Sequence, residues 1–321
     1  MAMKKKTISL IRNLAVMIAA YAVLFALSAS GVLSRSMQNQ LIPIGINIIL
    51  AVSLNLTVGF LGELTLGHAG FMSVGAYAGC IFAINSGLPD YLTIPLAMLI
   101  GGLFAAIFGV IIGVPALRLK GDYLAIVTLA FGEIVRSLFT SLSITGGALG
   151  LQKIPKHASF TLVYVVMVLT VILIANLVHS RHGRSICAIR DNIIAAEATG
   201  VNVVYFKLLA FVIAAFFAGV AGVLYGFNIG QLKPVNFDFN KSIEILVMVV
   251  LGGMGSIPGS MIAAVIITLL PELLRGLAKY RLLIYAVVLI AMMILNASPK
   301  FLAFKEKLFR RRQAEKGTVK E

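Results

Sequence analysis

The sequence predicts an all-α polytopic membrane protein. Of its 321 residues, 60% are hydrophobic and only 12% are charged, whereas soluble domains carry about 25% charged residues. Runs of about 20 apolar residues recur along the chain, and each is long enough to cross about 30 Å of hydrocarbon. We expect about eight full transmembrane helices plus a broken or re-entrant hairpin, about eight to ten spans in all. Both termini are expected on the cytoplasmic side.

The apolar runs form a single transmembrane domain that occupies residues 1–321. The first run, Leu14–Leu33, is longer than the usual signal-peptide core of about 7–15 residues, so we interpret it as an uncleaved first span. We place the spans near 12–33, 41–60, 64–85, 92–114, 123–141, 160–179 and 207–229, a broken segment at 242–274, and a last span near 281–298.

The distribution of charge predicts the orientation of these spans. With a cytoplasmic N-terminus, eighteen Lys and Arg residues fall inside and eight fall outside, which agrees with the positive-inside rule. Loop 180–206 and the basic tail 299–321 then lie inside, whereas the cluster "RGLAKYR" lies outside, against the trend. The net charge of +15 indicates contact with anionic lipid of the bilayer rather than nucleic acid, because no basic stripe is interleaved with aromatic residues.

Segment 242–274 is interrupted in its middle. Its apolar halves are separated by "GGMGSIPGS", and each half is shorter than the roughly 20 residues that a perpendicular span needs. Two short helices around this break predict a re-entrant hairpin or a discontinuous pair, which membrane proteins tolerate where protein or a water-filled cavity covers the backbone. Two ordinary spans joined by a tight turn remain the alternative. The glycine and proline residues of the break are Gly252, Gly253, Gly255, Pro258 and Gly259.

The stretch "GELTLGHAGFMSVGAYAG", 62–79, is rich in glycine. It lacks the lysine and hydroxyl residue of a phosphate-binding loop, so we exclude nucleotide binding there. Gly75 and Gly79 are spaced for close helix approach within a bilayer. Gly67 and Gly70 loosen the backbone before them, where a helix starts late or breaks. We interpret His68 as a satisfied polar group in a packed turn, with a substrate contact as the alternative.

Two ionisable residues lie within the predicted span at 123–141. Glu133 and Arg136 are three residues apart and can pair on one helix face. Charged residues inside a span are costly, so they usually face a bundle interior or a cavity. The pair is either part of a pathway or gate, or a structural ion pair near the end of the helix.

Loop 180–206 carries one apolar stripe at three- and four-residue steps, typical of an amphipathic helix. The membrane surface or a groove on a cytoplasmic partner would cover such a stripe. Polar residues Arg190, Asp191 and Glu197 are interleaved with it. The stripe consists of Ile186, Ile189, Ile193, Ala196 and Gly200.

No catalytic, metal or cofactor motif is present in the sequence, neither H-E-x-x-H nor C-x-x-C nor G-x-S-x-G. We therefore expect a transport subunit without enzymatic activity, cofactor or metal. An ion-coupled secondary carrier is an alternative from another class, but such carriers bind ions through intramembrane carboxylates, and only Glu133 is clearly placed within a span. A membrane enzyme is disfavoured because no nucleophile–base pair is present.

Five motifs in one order resemble a known family. They are "GHAGFMSVGAYAG", "LRLKGDYLAIVTLAFGEIVR", "TGGALGLQKIP", "AIRDNIIAAEATGV" and "LGGMGSIPGS". Together they are similar to the LivM-type permease subunit of bacterial branched-chain amino-acid ABC importers, from about residue 41 to residue 274.

The resemblance implies a permease that carries leucine, isoleucine or valine across the bacterial cytoplasmic membrane. It implies a LivH-type permease partner, two cytoplasmic ATPase subunits that bind the ATP and Mg, and an extracytoplasmic binding protein. Relatives that carry urea or short amides look similar. By the same resemblance, residues 190–200 form a coupling helix, although "EATG" departs from the E-A-A-x-x-x-G form of many ABC importers. Segments 67–70 and 252–259 would line or brace the pore, and loop 145–155 would meet the binding protein.

Overall fold

The computed structural model describes residues 35–119 and 121–273, together with residues 287 and 290. The predicted first span at 12–33 and the tail 299–321 lie outside the described residues. So does the predicted last span at 281–298, apart from the two isolated positions.

The described chain is built from helices and has no named strand, as the sequence predicts. One helix continues into a π-helical turn, Leu56–Leu61, called the π segment below. Short 3-10 turns cover Ser143–Thr145, Gly147–Leu149 and Pro234–Phe237. The helices are α1 Arg35–Asn55, α2 His68–Asn85, α3 Asp90–Ala116, α4 Asp122–Ser141, α5 Phe160–Val178, α6 Arg181–Asp191, α7 Ile193–Ala198, α8 Val203–Ile229, α9 Phe239–Gly252 and α10 Ile257–Leu273.

Five helices of the described part are long and apolar enough to cross a membrane. They are Met37–Leu61, which includes the π segment, and α3, α4, α5 and α8. The sequence predicted six full spans over the same residues. The difference is α2, which begins at His68 rather than near residue 64 because residues 62–67 are not helical. Helix α2 is therefore only 18 residues long, and most of its side chains are buried within the chain.

Helices α2, α3 and α8 pack against one another at glycines. A Cβ atom placed on Gly75 of α2 would lie 2.2 Å from the Cα atom of Gly219 in α8. A Cβ atom on Gly101 of α3 would lie 2.6 Å from the carbonyl oxygen of Gly75, and one on Gly219 would lie 2.6 Å from the carbonyl oxygen of Gly101. Each glycine thus touches the backbone of a neighbouring helix. Close backbone approach of this kind is how membrane helices gain packing energy where apolar burial contributes little.

The region predicted as broken consists of two short helices, α9 and α10, joined by residues 253–256. Gly253 and Gly255 have positive φ, +88° and +79°, which glycine adopts at little cost. A Cβ atom on Gly259 would lie 1.8 Å from the carbonyl oxygen of Gly252, so the two helices touch at the break. Pro258 lies in the first turn of α10, where a missing N–H removes no helical bond. Both helices pack against α1.

The connection from α4 to α5 pairs with the connection that follows α8. Leu151 and Leu232 exchange two backbone hydrogen bonds of 2.8 and 2.9 Å. Gly150 has φ +78°, and a Cβ atom there would lie 2.0 Å from the carbonyl oxygen of Leu232. The hydroxyl of Tyr77 also donates to this carbonyl, at 3.2 Å. These bonds hold the "TGGALGLQKIP" loop against the connection that follows α8 and link that connection to the middle of α2.

The contact between α2 and α8 gives a test of packing. In Gly75→Ala, the added methyl group would overlap the backbone of Gly219, and such overpacking costs about 1–3 kcal/mol. We expect a lower thermal unfolding midpoint for the purified protein in detergent. The matched control is Gly132→Ala in α4, where the nearest atom lies 3.9 Å from the added Cβ. Equal midpoints for the two variants would contradict the close contact.

Candidate functional site

The connection between α5 and α8 forms two helices rather than the one helix expected over residues 190–200. Asn192 interrupts them in an extended conformation, and its side-chain oxygen accepts a hydrogen bond of 3.0 Å from the N–H of Ala195. Asparagine favours such a cap because its short side chain satisfies a free N–H of the first turn. Ser180 caps α6 in the same way by accepting from the N–H of Gly183.

The apolar stripe of this connection is covered by the chain itself. Ile186, Ile189 and Ala196 are buried, and Ile193 is half-buried against the core. Helix α6 packs against α5, α8 and the π segment. The expectation that the membrane surface or a partner covers the stripe is therefore wrong for these residues. The sequence pattern shows that a stripe needs a cover, but it does not show which element provides the cover.

The outward surface of α7 is formed by other residues, which we call the α7 face. They are exposed, and the most prominent is Ile194, which is 76% exposed. The sequence analysis did not identify Ile194, because this residue lies outside the stripe. The sequence feature that could have indicated it is a second isoleucine directly after Ile193. Glu197 and Gly200, both predicted as site residues, are exposed here as well. The α7 face comprises Ile194, Ala195, Glu197 and Ala198.

Arg190 is hydrogen-bonded back to the chain, although its side chain is 39% exposed, and it is not part of the α7 face. Its Nη1 atom donates to the carbonyl oxygen of Gly59 in the π segment at 3.1 Å. Its Nε and Nη2 atoms donate to Oδ1 of Asp191 at 3.1 and 2.9 Å. Cys187, on the same helix, is half-buried, and desolvation raises the pKa of its thiol although Arg190 opposes the shift. The thiol is therefore protonated and unreactive at neutral pH.

A buried ion pair lies near this connection. Lys207 of α8 is buried, and its Nζ atom donates to Oε1 of Glu63 in the loop between the π segment and α2. Lys207 is one of the eighteen basic residues that the charge count places inside, and its side chain is buried against Glu63 rather than exposed to solvent. The two residues are 144 positions apart, so no local pattern indicates the pair.

His68 begins α2 where several elements converge. Its Nε2 atom lies 3.0 Å from the hydroxyl of Ser53 in α1, and that hydroxyl donates to the carbonyl of Leu50 at 3.0 Å. The hydroxyl has one hydrogen, so His68 is assigned as the donor to Ser53. The geometry is that of a buried, satisfied polar group. The adjacent N–H of Ala69 donates to the hydroxyl of Ser242 in α9 at 3.2 Å.

Glycines flank His68 at contacts with α4. A Cβ atom on Gly67 would lie 2.6 Å from the carbonyl oxygen of Thr128, and one on Gly70 would lie 2.9 Å from the Cα atom of Gly132. A Cβ atom on Gly79 would lie 2.6 Å from the carbonyl oxygen of Ala97 in α3. These glycines all lie at helix contacts; whether they also line a pore stays a prediction.

Glu133 and Arg136 pair on α4 at the expected spacing. Nε and Nη2 of Arg136 lie 2.8 and 2.7 Å from Oε2 of Glu133. The two side chains are 35% and 36% exposed. Because charged groups in hydrocarbon are costly, this face of a membrane-length helix is expected to meet water or another protein rather than lipid.

One cleft of the described part is apolar, and the metal-binding side chains of that part are scattered. No group of three His, Cys, Asp or Glu side chains among them could hold a metal ion. A cleft of about 330 Å³ between α5 and α8 is lined by apolar side chains and has no charged group for the amino and carboxylate groups of a free amino acid. Its lining consists of Leu173, Ile174, Leu177, Ile213, Phe216 and Phe217.

The ion pair of Lys207 and Glu63 gives a second test. In Lys207→Met, the carboxylate of Glu63 loses its cation in a mostly buried position, a change that costs about 3–5 kcal/mol. We expect a lower thermal unfolding midpoint in detergent and substantial recovery in the double variant Lys207→Met with Glu63→Gln. Lys233→Met, at an exposed lysine, serves as control. A double variant as unstable as Lys207→Met would disprove that charge compensation is the cause.

Comparison with known proteins places these features in a family. The family model "Branched-chain amino acid transport system / permease component" matches residues 36–297. The chain is 38% identical over 284 residues to the "High-affinity branched-chain amino acid transport system permease protein LivM" of Salmonella typhimurium, and equally to that of Escherichia coli. These alignments cover 78% of this chain and 66% of each relative, so the chain spans just under two thirds of their length.

A shorter similarity involves the permease protein LivH of the same transport system in Escherichia coli. It is 39% identical over 89 residues, which cover 28% of this chain and 29% of that protein. No solved structure matches the chain. Because the family model covers well over half of the sequence, the chain belongs to the family of permease components of branched-chain amino acid transport systems.

Proposed function

We propose that this chain is the membrane-spanning permease subunit of a bacterial ABC importer for branched-chain amino acids. The family match over residues 36–297 carries the proposal, and the 38% identity to two LivM proteins supports it. The five membrane-length helices agree with it. The sequence contains no phosphate-binding lysine motif, so the ATP and Mg would be bound by separate subunits.

The complete importer would contain four further chains. A second permease of LivH type would complete the pore, two cytoplasmic ATPases would supply the energy, and an extracytoplasmic protein would deliver leucine, isoleucine or valine. In this arrangement the chain lies in the bacterial cytoplasmic membrane. The α6–α7 connection faces the cytoplasm, and both termini lie on that side.

The α7 face is the candidate contact for an ATPase subunit. Its apolar residue Ile194 projects to solvent, while the stripe behind it is held by α5, α8 and the π segment. An exposed apolar residue on a short helix that packs against α6 and α8 fits the groove recognition that helices commonly use. The coupling role predicted for 190–200 thus falls to α7, with α6 as its support.

The loops at the other ends of α5 and α8 form the candidate contact surface for the binding protein. Loop 145–155 is fixed to the connection after α8 through Leu151 and Leu232. Leu149 and Val235 expose most of their side chains there. Loaded binding protein would dock on this surface, and ATP-driven closure of the motors would switch access of the pore from one side to the other.

The face of α4 that bears Glu133 and Arg136 is assigned to the interior of the importer. The pair is about one-third exposed within this chain, and hydrocarbon would disfavour it. Contact with the second permease or with the aqueous pathway would provide the polar surroundings.

Transport by the assembled importer tests the proposal. Proteoliposomes that contain both permeases and both ATPases, supplied with binding protein, are expected to accumulate labelled leucine only with ATP and Mg. Uptake of urea under the same conditions distinguishes the amide-permease alternative. Leucine uptake that persists without the ATPase subunits would instead support an ion-coupled carrier and refute the proposal.

The α7 face gives a narrower test. Ile194→Asp places a charge where an apolar contact is expected, so we predict weaker co-purification of the ATPase subunits and slower uptake, by about tenfold or more. The control is Val204→Asp, at a side chain of similar exposure, 73%, in the first turn of α8, where an acidic residue is tolerated. If both variants retain their ATPases equally, the α7 face is not the docking surface.

A further inference from the structure

Three segments distant in sequence meet around Arg190. They are the π segment at the end of α1, the turn 253–256 between α9 and α10, and the last turn of α6. Arg190 donates to the carbonyl oxygen of Gly59 at 3.1 Å. Carbonyl groups in the last turn of a helix have no partner within the helix, so this bond satisfies a group that α1 leaves open.

The backbone around Arg190 is shaped to admit its side chain. Gly62 ends the π segment with φ +81°, and a Cβ atom there would lie 2.7 Å from Cγ of Arg190. A Cβ atom on Gly255 would lie 3.3 Å from Nη1 of Arg190 and 3.4 Å from the carbonyl oxygen of Gly59. The side chain of Arg190 therefore passes over Gly62, and its Nη1 atom lies beside Gly255. A residue larger than glycine at either position would reduce the space for the arginine.

The turn between α9 and α10 is also hydrogen-bonded to α1. The N–H of Gly255 donates to Oδ1 of Asn55 at 2.9 Å, and Asn55 is completely buried. A Cβ atom on Gly59 would lie 2.2 Å from the nitrogen of Gly255. The end of α1 and the hairpin turn thus form one contact unit, and the guanidinium of Arg190 lies against both parts of it.

Helix α6 packs on the π segment and is also hydrogen-bonded to this unit through Arg190. The helix packs on α5, α8 and the π segment, while α9 and α10 pack chiefly on each other and on α1. The bonds that Nε and Nη2 donate to Asp191 hold that side of the guanidinium, which leaves Nη1 directed at Gly59. A charge-assisted bond of this kind is stronger and more directional than one between neutral groups.

We propose that Arg190 is a positioning residue that transmits displacement of α6 and α7 to the end of α1 and to the α9–α10 hairpin. It does so through Gly59 and Gly255 and does not contact the ATPase. This inference rests on the proposed function, since it assigns the route by which motion at the α7 face reaches the pore.

The first experiment measures leucine imported per ATP hydrolysed by the complete importer in proteoliposomes. In Arg190→Gln the ATPase subunits remain bound and hydrolyse ATP, and the ratio falls about fivefold or more. Arg190→Lys gives an intermediate ratio, because an ammonium can still donate one bond to Gly59. Arg184→Gln, at an exposed arginine of the same helix, keeps the wild-type ratio.

A spectroscopic measurement separates transmission from a purely structural role. A nitroxide label is attached to Met254→Cys, an exposed position in the hairpin turn, in a Cys187→Ser background. With Arg190 present, ATP and vanadate change the mobility of the label. In Arg190→Gln the change is lost while ATPase binding persists.

Several results would overturn the inference. A wild-type ratio in Arg190→Gln would overturn the inference and leave the proposed function intact. Loss of the ATPase subunits from that variant would also overturn it, because Arg190 would then be a docking residue. If Arg190→Gln does not reach the membrane, the test uses Arg190→Lys. A wild-type ratio of leucine imported per ATP in Arg190→Lys contradicts the proposal, and a reduced ratio supports it. ATP-independent import by the unmodified importer refutes the proposed function instead.

Discussion

The glycine contacts among α2, α3 and α8 are the constraint on which the rest of the structure depends. Where hydrocarbon surrounds the helices, apolar side chains gain little by leaving it, so stability comes from backbone approach and close packing. Gly75, Gly101 and Gly219 bring three helix backbones into direct contact. This contact holds α2 against α8, and these helices carry His68, at the start of α2, and Lys207, near the start of α8.

Two breaks in the helices are satisfied by side chains from other elements. The N–H of Leu66, before α2, donates to the hydroxyl of Thr128 in α4 at 3.0 Å, and the N–H of Gly255 donates to Asn55. Unpaired backbone groups are costly at membrane depth, so these bonds make the irregular segments possible. They also connect elements that lie far apart in the sequence.

Local patterns predicted much of the fold, and long-range contacts account for what they missed. The helix break at 253–256 follows from its glycines, and the pairing of Glu133 with Arg136 follows from helical spacing. The start of α2 at His68 and the partner of Lys207 depend on packing between residues far apart in sequence. The spacing of apolar residues identified the apolar stripe of α6 and α7. Such spacing shows which side of a helix is buried, but the element that covers that side depends on the tertiary structure.

The separation of Glu63 from Lys207 has a consequence for biosynthesis. Lys207 follows Glu63 by 144 residues. Gly255, in the hairpin turn, follows its partner Asn55 by 200 residues. At about 5–20 residues per second, the ribosome makes these partners roughly 7–40 s after the residues that they bind. The first of these residues are therefore synthesised well before their partners, and this end of the bundle is completed only when the later part of the chain has been made.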